Sequence, residues 1–214
     1  ANYYDSYTIE REGQFSGKIF GEYLQLNLFM APRFTSVANE EAALQELANK
    51  HFDLVIIMAG LDKETPIATS RRIKELYPDI YQLMLVNNNA DLVEPEIRQS
   101  IERVFVWNGS TKVFLAMAKY LEDKINLQPD TRLGDVRVIL VVEDSIKYYS
   151  RYLPLLYTEI MTQTQAIIDG EPRDDETTLI LRMRARPKLI LVSTYEDAVA
   201  IIDKYRDNII GVIS

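Results

Sequence analysis

Cysteine is absent from the 214-residue chain, which excludes disulfides, zinc–thiolate sites and thiol nucleophiles and fits a reducing compartment such as the cytoplasm. Histidine is almost as scarce. His51 stands alone in a turn between a helical stretch and an apolar run, reads as a surface residue, and belongs to no His/Glu zinc motif. No apolar run approaches the roughly 18 residues needed to cross a bilayer, and the first residues lack a signal-peptide pattern. No G-x-G-x-x-G, Walker A or nucleophile-elbow motif occurs, which counts against a small nucleotide-binding α/β enzyme. Positive charge is outweighed: 24 Lys and Arg against 32 Asp and Glu give a net charge of −8. A field of that sign repels nucleic acid and anionic lipid and leaves proteins, or other domains of a parent chain, as the expected partners.

What is present is a soluble globular composition, 47% hydrophobic and 26% charged, in a chain with room for two domains of about 100 to 120 residues. Short β-branched runs alternate with amphipathic stretches, the pattern of βα units around a parallel sheet. Residues 8–26 read as a helix with Phe15, Ile19, Tyr23 and Leu26 on one face, and with Gly13, Gly17 and Gly21 spaced for close packing. Phe34–Val37 reads as a strand, Glu40–Lys50 as a helix, and Asp53–Met58 as a strand buried on both faces. Thr65 and Pro66 read as the cap and first residue of a helix running to about Leu76. Gln82–Val86 (strand), Glu94–Ile101 (helix), Val104–Val106 (strand) and Thr111–Lys124 (helix) complete a first domain over 1–126, with a linker at 127–135.

The pattern restarts at Val136–Val142, a strand ending in Glu143-Asp144-Ser145. A long helix follows, with Tyr149, Leu153, Leu156 and Ile160 on one face and Tyr148, Tyr152 and Leu155 on another, so it is expected to pack on two sides. A turn at Gly170-Glu171-Pro172, a helix over Asp175–Arg186, and then strand, helix and strand at Leu189–Val192, Glu196–Lys204 and Ile209–Ile213 complete a second domain over 136–214. Ala198–Ser214 echoes Ala42–Met58, as an internal duplication of one α/β unit would.

Glu143 and Asp144 stand at the carboxyl end of a buried strand, where doubly wound sheets place their ligands. Adjacent carboxylates there can hold Mg²⁺, and they can equally form a solvated turn in which Asp144 or Ser145 caps the next helix. The basic run Arg182–Lys188 reads as cations in a helix's last turn stopped by Pro187, with an anion or acidic-partner site as the alternative.

Val138–Ser145 resembles the first strand and acidic pair of response-regulator receiver domains, the modules of two-component signalling. Phe52–Met58 with Arg71–Asp79 resembles the third strand and following helix of the same family. The resemblance implies flavodoxin-like parallel sheets of strand order 2-1-3-4-5. It also implies a Mg²⁺-binding acidic pair, an acceptor aspartate ending strand three, a hydroxyl residue ending strand four and a lysine ending strand five. By that pattern the first module is degenerate. Asp5 alone represents the acidic pair, Met58 stands at the acceptor position, Val86 or, with a one-residue slip, Asn87 at the hydroxyl position, and Trp107 at the lysine position. A thioether cannot form an acyl phosphate, so this module is expected to be a pseudo-receiver without Mg²⁺ or phosphate. The second module keeps Glu143 and Asp144, and an intact version is expected to bind Mg²⁺. It reaches strand three at Gly211–Ser214, so the next residue would be the acceptor position, and it carries an inserted helical segment near 165–186.

The succession of a degenerate module, Val141–Pro154 and Arg182–Val199 is also similar to the N-terminal region of phosphoenolpyruvate synthase-like and pyruvate phosphate dikinase-like proteins. That similarity implies a regulatory or interaction role within a larger phosphotransferase. The alternative is a phosphoryl-accepting, Mg²⁺-dependent switch through the second module. No catalytic motif of the dikinase occurs in these residues, so the chain itself is not expected to be an enzyme. Ala1–Tyr4 is too short for a full central strand, and the second module ends after its third. The chain is therefore expected to borrow a strand, with Val136–Val142 filling the gap, or to bury its edges in a homodimer.

Overall fold

The computed structural model describes residue 21 and residues 33–59, 64–87, 99–169 and 185–214. Among them the chain is α/β, with five helices and two parallel three-stranded sheets. From residue 33 onward they fall into two compact units, 33–111 and 112–214. The expected helix at 8–26 apart from residue 21, the position Asp5 and most of the expected helix at 175–186 lie outside the described residues, as does most of the one at 94–101.

In the first unit the side chain of Asn39 accepts from the Ala42 N–H at 2.9 Å and opens α1 (Glu40–Asn49). Glu40 and Glu41 in its first turn complement the helix dipole. After it come β1 (Leu54–Ala59), α2 (Glu64–Leu76), β2 (Tyr81–Val86) and β3 (Arg103–Val106). The sheet order is β1-β2-β3, which pairs Ile57 with Met84 and Ala59 with Val86, and Val86 in turn with Val106. Because side chains alternate across a strand, Ile57, Ala59, Met84 and Val86 share one face. They form a core with Ile101, lined by Ile67, Val104 and Val106. Burial at that core is bridged by polar groups: Ser70 donates to Ser100 at 2.8 Å, and the Gln82 amide donates to the Ser70 carbonyl at 3.0 Å. Glu40 ties α1 to α2 by accepting from Thr69 at 2.8 Å and pairing with Arg72 at 3.1 Å.

The second unit begins with α3 (Lys112–Gly134), followed by β4 (Val138–Val142), α4 (Ile146–Asp169), β5 (Lys188–Val192), α5 (Tyr195–Tyr205) and β6 (Ile209–Ile213). Its sheet order is β5-β4-β6, so the first strand made is the central one. Leu140 and Val142 lie opposite Ile190 and Val192 and pack with Ala198 and Tyr205 of α5. On the alternate positions Val141, Leu189 and Leu191 are buried as well, so the central β4 is covered on both faces, as an internal parallel strand requires, and β5, though at an edge of the sheet, is buried along its whole length. At the edge, β6 leaves Ile210, Val212 and Ile213 exposed. Thr194 caps α5 just as Asn39 caps α1, accepting from the Asp197 N–H at 3.1 Å, and each of these helices leads into a strand.

Several expectations are corrected. Residues 34–37 form no strand. The helix expected to close at Lys124 continues to Gly134, so the linker at 127–135 is helical almost throughout, and the units divide at 111/112. Pro129 there removes a backbone donor and crowds the carbonyl one turn back, at a cost of about 3 kcal/mol, yet the helix runs on with Leu127 and Thr131 buried on either side of it, and the chain leaves α3 through Asp135 at φ 47°. Asp135 is held by the Asn208 amide, which donates to it at 3.2 Å. Glu64 begins α2, so Thr65 and Pro66 lie inside its first turn. Val138–Val142 pairs on both sides within its own sheet, with β5 and with β6, and so does not fill a gap in the first unit.

Leu140 is fully buried on the central strand, whereas Val212 on the edge strand is 52% exposed. Leu140→Ala should therefore cost about 2–5 kcal/mol and Val212→Ala less than about 1 kcal/mol, read from urea unfolding midpoints.

Candidate functional site

All three strands of the second sheet run parallel, so the residues after each gather at one edge: Glu143 and Asp144 after β4, Ser193 and Thr194 after β5, and Ser214 after β6. The Glu143 N–H continues the ladder by donating to the Val192 carbonyl at 3.0 Å. Its side chain then folds back, and Oε1 accepts from the Ser145 N–H at 2.9 Å. The Ser145 carbonyl in turn accepts from the N–H groups of Tyr148 and Tyr149, both at 3.0 Å, which starts α4. Glu143 is half-buried and Asp144 exposed. The sequence therefore places the pair at the expected edge, while the group that orders the turn is Glu143 rather than Asp144. No group of three or more His, Cys, Asp or Glu side chains placed to hold a metal occurs among the described residues. The donor set suits a cation that takes one or two carboxylates and completes its shell with water or phosphate oxygens, as Mg²⁺ does.

In the first unit Met58 is half-buried beside Leu85, one residue before the end of β1. Val86 is 2% exposed and belongs to the core on the opposite face. Trp107 follows β3, and its N–H donates to the Val86 carbonyl at 2.7 Å. Val86 is thus committed to packing, and Met58 does not share a face with it.

The densest cluster of charge in the described residues lies elsewhere, around Asp123 of α3. This carboxylate is fully buried and receives a bidentate pair from Arg186, at 2.7 and 3.0 Å. It also accepts from the Leu189 N–H at 2.9 Å and lies 3.7 Å from the Lys188 ammonium. Lys188, itself 1% exposed, pairs with Asp130 at 2.8 Å. Arg186 lies 3.5 Å from Glu122 and stacks over the Tyr157 ring at 5.7 Å. Burial works against the charge on Arg186, but the Asp123 carboxylate more than compensates and holds the guanidinium above its ordinary range. Burial, reinforced by the negative charge of Asp123, pushes the Tyr157 hydroxyl well up. For Glu122, burial favours the neutral form but is overcome by Lys119 and Arg186, so its carboxyl stays below the ordinary range. Lys119 is lowered, burial prevailing over the pull of Glu122.

Of the basic run, residues 182–184 lie outside the described residues; Arg186 sits in a bend, Lys188 opens β5, and both take acidic partners within the chain. One signal in the sequence points to this. Ala116, Tyr120 and Leu127 mark the buried stripe of α3, and Asp123 falls at three and four residues from the last two. A carboxylate on an apolar stripe needs a buried cation, and the run at 182–188 supplies it.

Comparison of the chain with protein-family models, with curated proteins and with solved structures returns no match. No described helix is long and apolar enough to cross a membrane.

Asp123→Asn should destabilise the second unit by about 3–5 kcal/mol, because the buried Arg186 loses its bidentate carboxylate and Lys188 one of its two, and Arg186→Met added to it should recover part of that loss in urea unfolding. Tyr157 has a raised folded value, so its contribution is complete below the ordinary tyrosine range and fades as pH rises through and above about 10. Lys119, with a lowered value, acts in the opposite sense over the same range. The difference between the native chain and Tyr157→Phe isolates the tyrosine: the advantage of the native chain should shrink from pH 9 to pH 11, and a constant difference would exclude the linkage.

Proposed function

We propose that the chain is a pair of receiver-type regulatory modules of flavodoxin-like fold, the first a pseudo-receiver that serves as a docking platform within a larger phosphoenolpyruvate synthase-like protein. The observation that carries this reading is the β5-β4-β6 order, with an acidic pair directly after the central strand. In a receiver the first strand lies between the second and third, and the acidic pair follows it. The inactivity of the first module follows from chemistry: a thioether at 58, a buried valine at 86 and an indole at 107 offer no acceptor, hydroxyl or ammonium. The role left to it is recognition by protein surfaces, in keeping with the net charge of −8.

A second reading, a Mg²⁺-dependent phosphoryl-accepting switch, is favoured only by Glu143 and Asp144 at the sheet edge. In it Asp144 and the remaining oxygen of Glu143 would hold the cation, which would neutralise the charge of an incoming phosphoryl group.

Incubation of the chain with acetyl phosphate and Mg²⁺, followed by mass spectrometry, should leave residues 33–111 unmodified; a stoichiometric acyl phosphate there would overturn the pseudo-receiver assignment. Calorimetric titration with Mg²⁺ addresses the second reading: binding that Asp144→Ala abolishes supports it, and binding unchanged by that substitution places the cation elsewhere.

A further inference from the structure

Helix α4 has two apolar faces, only one of which is covered. Tyr149, Leu153, Tyr157 and Met161 are buried, whereas Tyr148, Tyr152 and Leu155 remain 49%, 44% and 59% exposed. The two exposed rings are stacked, 6.0 Å between centroids and 7° from parallel, so the face presents one ordered aromatic slab followed by a leucine. An apolar strip on an exposed helix calls for a partner, and the residues around this strip specify which one.

We infer that the face is covered by the same face of a second copy of this chain, the two α4 helices packing antiparallel about a two-fold axis at Leu155. Arg151 and Glu159, both exposed, stand one turn before and one turn after Leu155. The two-fold sets Arg151 of each copy opposite Glu159 of the other, forming two symmetric ion pairs across the seam. The same operation sets Tyr152 opposite Thr158 and Tyr148 opposite Thr162, so each large ring meets a small side chain. Both threonine hydroxyls are turned back onto their own helix, donating to the carbonyls of Pro154 and Thr158 at 2.7 and 2.8 Å, which leaves their methyl groups to meet the rings. A surface on which each residue finds its complement under one rotation is the requirement for an isologous dimer. Interdigitation of large and small residues is what close helix packing needs. Glu159 is already oriented along the helix surface by the Gln163 amide, which donates to it at 2.8 Å. This inference does not depend on the receiver reading.

Sedimentation velocity on the full chain tests it. The weight-average mass should rise with concentration from 24.7 kDa towards twice that value and fall back with added salt. Arg151→Glu and Glu159→Arg, each at an exposed position, should weaken dimerisation at least about tenfold, because like charges then face each other. The double variant R151E/E159R restores opposite charges across the axis and should restore the dimer. A chain that stays monomeric up to about 1 mM, the limit of weak specific association, overturns the proposal, as it would if a different protein covered the face. Single variants that dimerise like the native chain, or a double variant that stays monomeric, overturn it equally.

Discussion

A carboxylate with no access to water organises the second unit. Asp123 takes two bonds from one guanidinium, one from a backbone N–H at the start of β5, and the field of a lysine. These partners come from the loop before β5 and from β5 itself, so the ion cluster fixes where that strand begins relative to α3. β5 in turn sets the register of β4, residue for residue from Val138 opposite Lys188 to Val142 opposite Val192. Because β5 is buried at every position, hydrophobic alternation alone does little to choose its register, and a bidentate pair backed by a backbone bond fixes it. The energetic gain from such a cluster is modest once desolvation is counted, and its contribution is to exclude alternatives.

The first unit has no comparable anchor among its described residues. Its core is an apolar layer bridged by the small polar chain Ser70, Ser100 and Gln82. Val86, at the carboxyl end of β2, is absorbed into that packing. The contrast between the units is one of investment: one uses buried charge to define a strand, the other hydrocarbon to fill a sheet.

The sequence made the sheets legible and the charges obscure. Leu54–Ala59, Tyr81–Val86, Val138–Val142 and Lys188–Val192 are β-branched, apolar and short, and each was recognisable from its own residues. Glu143 and Asp144 could likewise be placed at a sheet edge, because their position follows from the strand before them. The extent of α3 was harder: Pro129 and Gly134 read as linker, since local turn preference says nothing of the packing that carries a helix through a proline. Phe34–Val37 failed in the other direction, having strand propensity without a neighbour to pair with among the described residues. The Asp123 cluster was the least legible, since Asp123 and Arg186 are 63 residues apart and only the folded chain brings them together.

The β5-β4-β6 order also has a consequence for how the chain is made. The central strand leaves the ribosome before either strand that flanks it, and α4 and the whole segment up to Lys188 are synthesised while both its edges are bare. A nascent chain at this stage displays Val138–Val142 as an apolar ribbon with unpaired peptide groups, the form most open to capture by a neighbouring strand. Helix α3 is already made by then and in the fold packs Leu127 against Val138 and Leu140, while the long amphipathic α4 follows at once and can form locally. These two helices are the elements of the same polypeptide available to lie over the ribbon before β5 and β6 arrive.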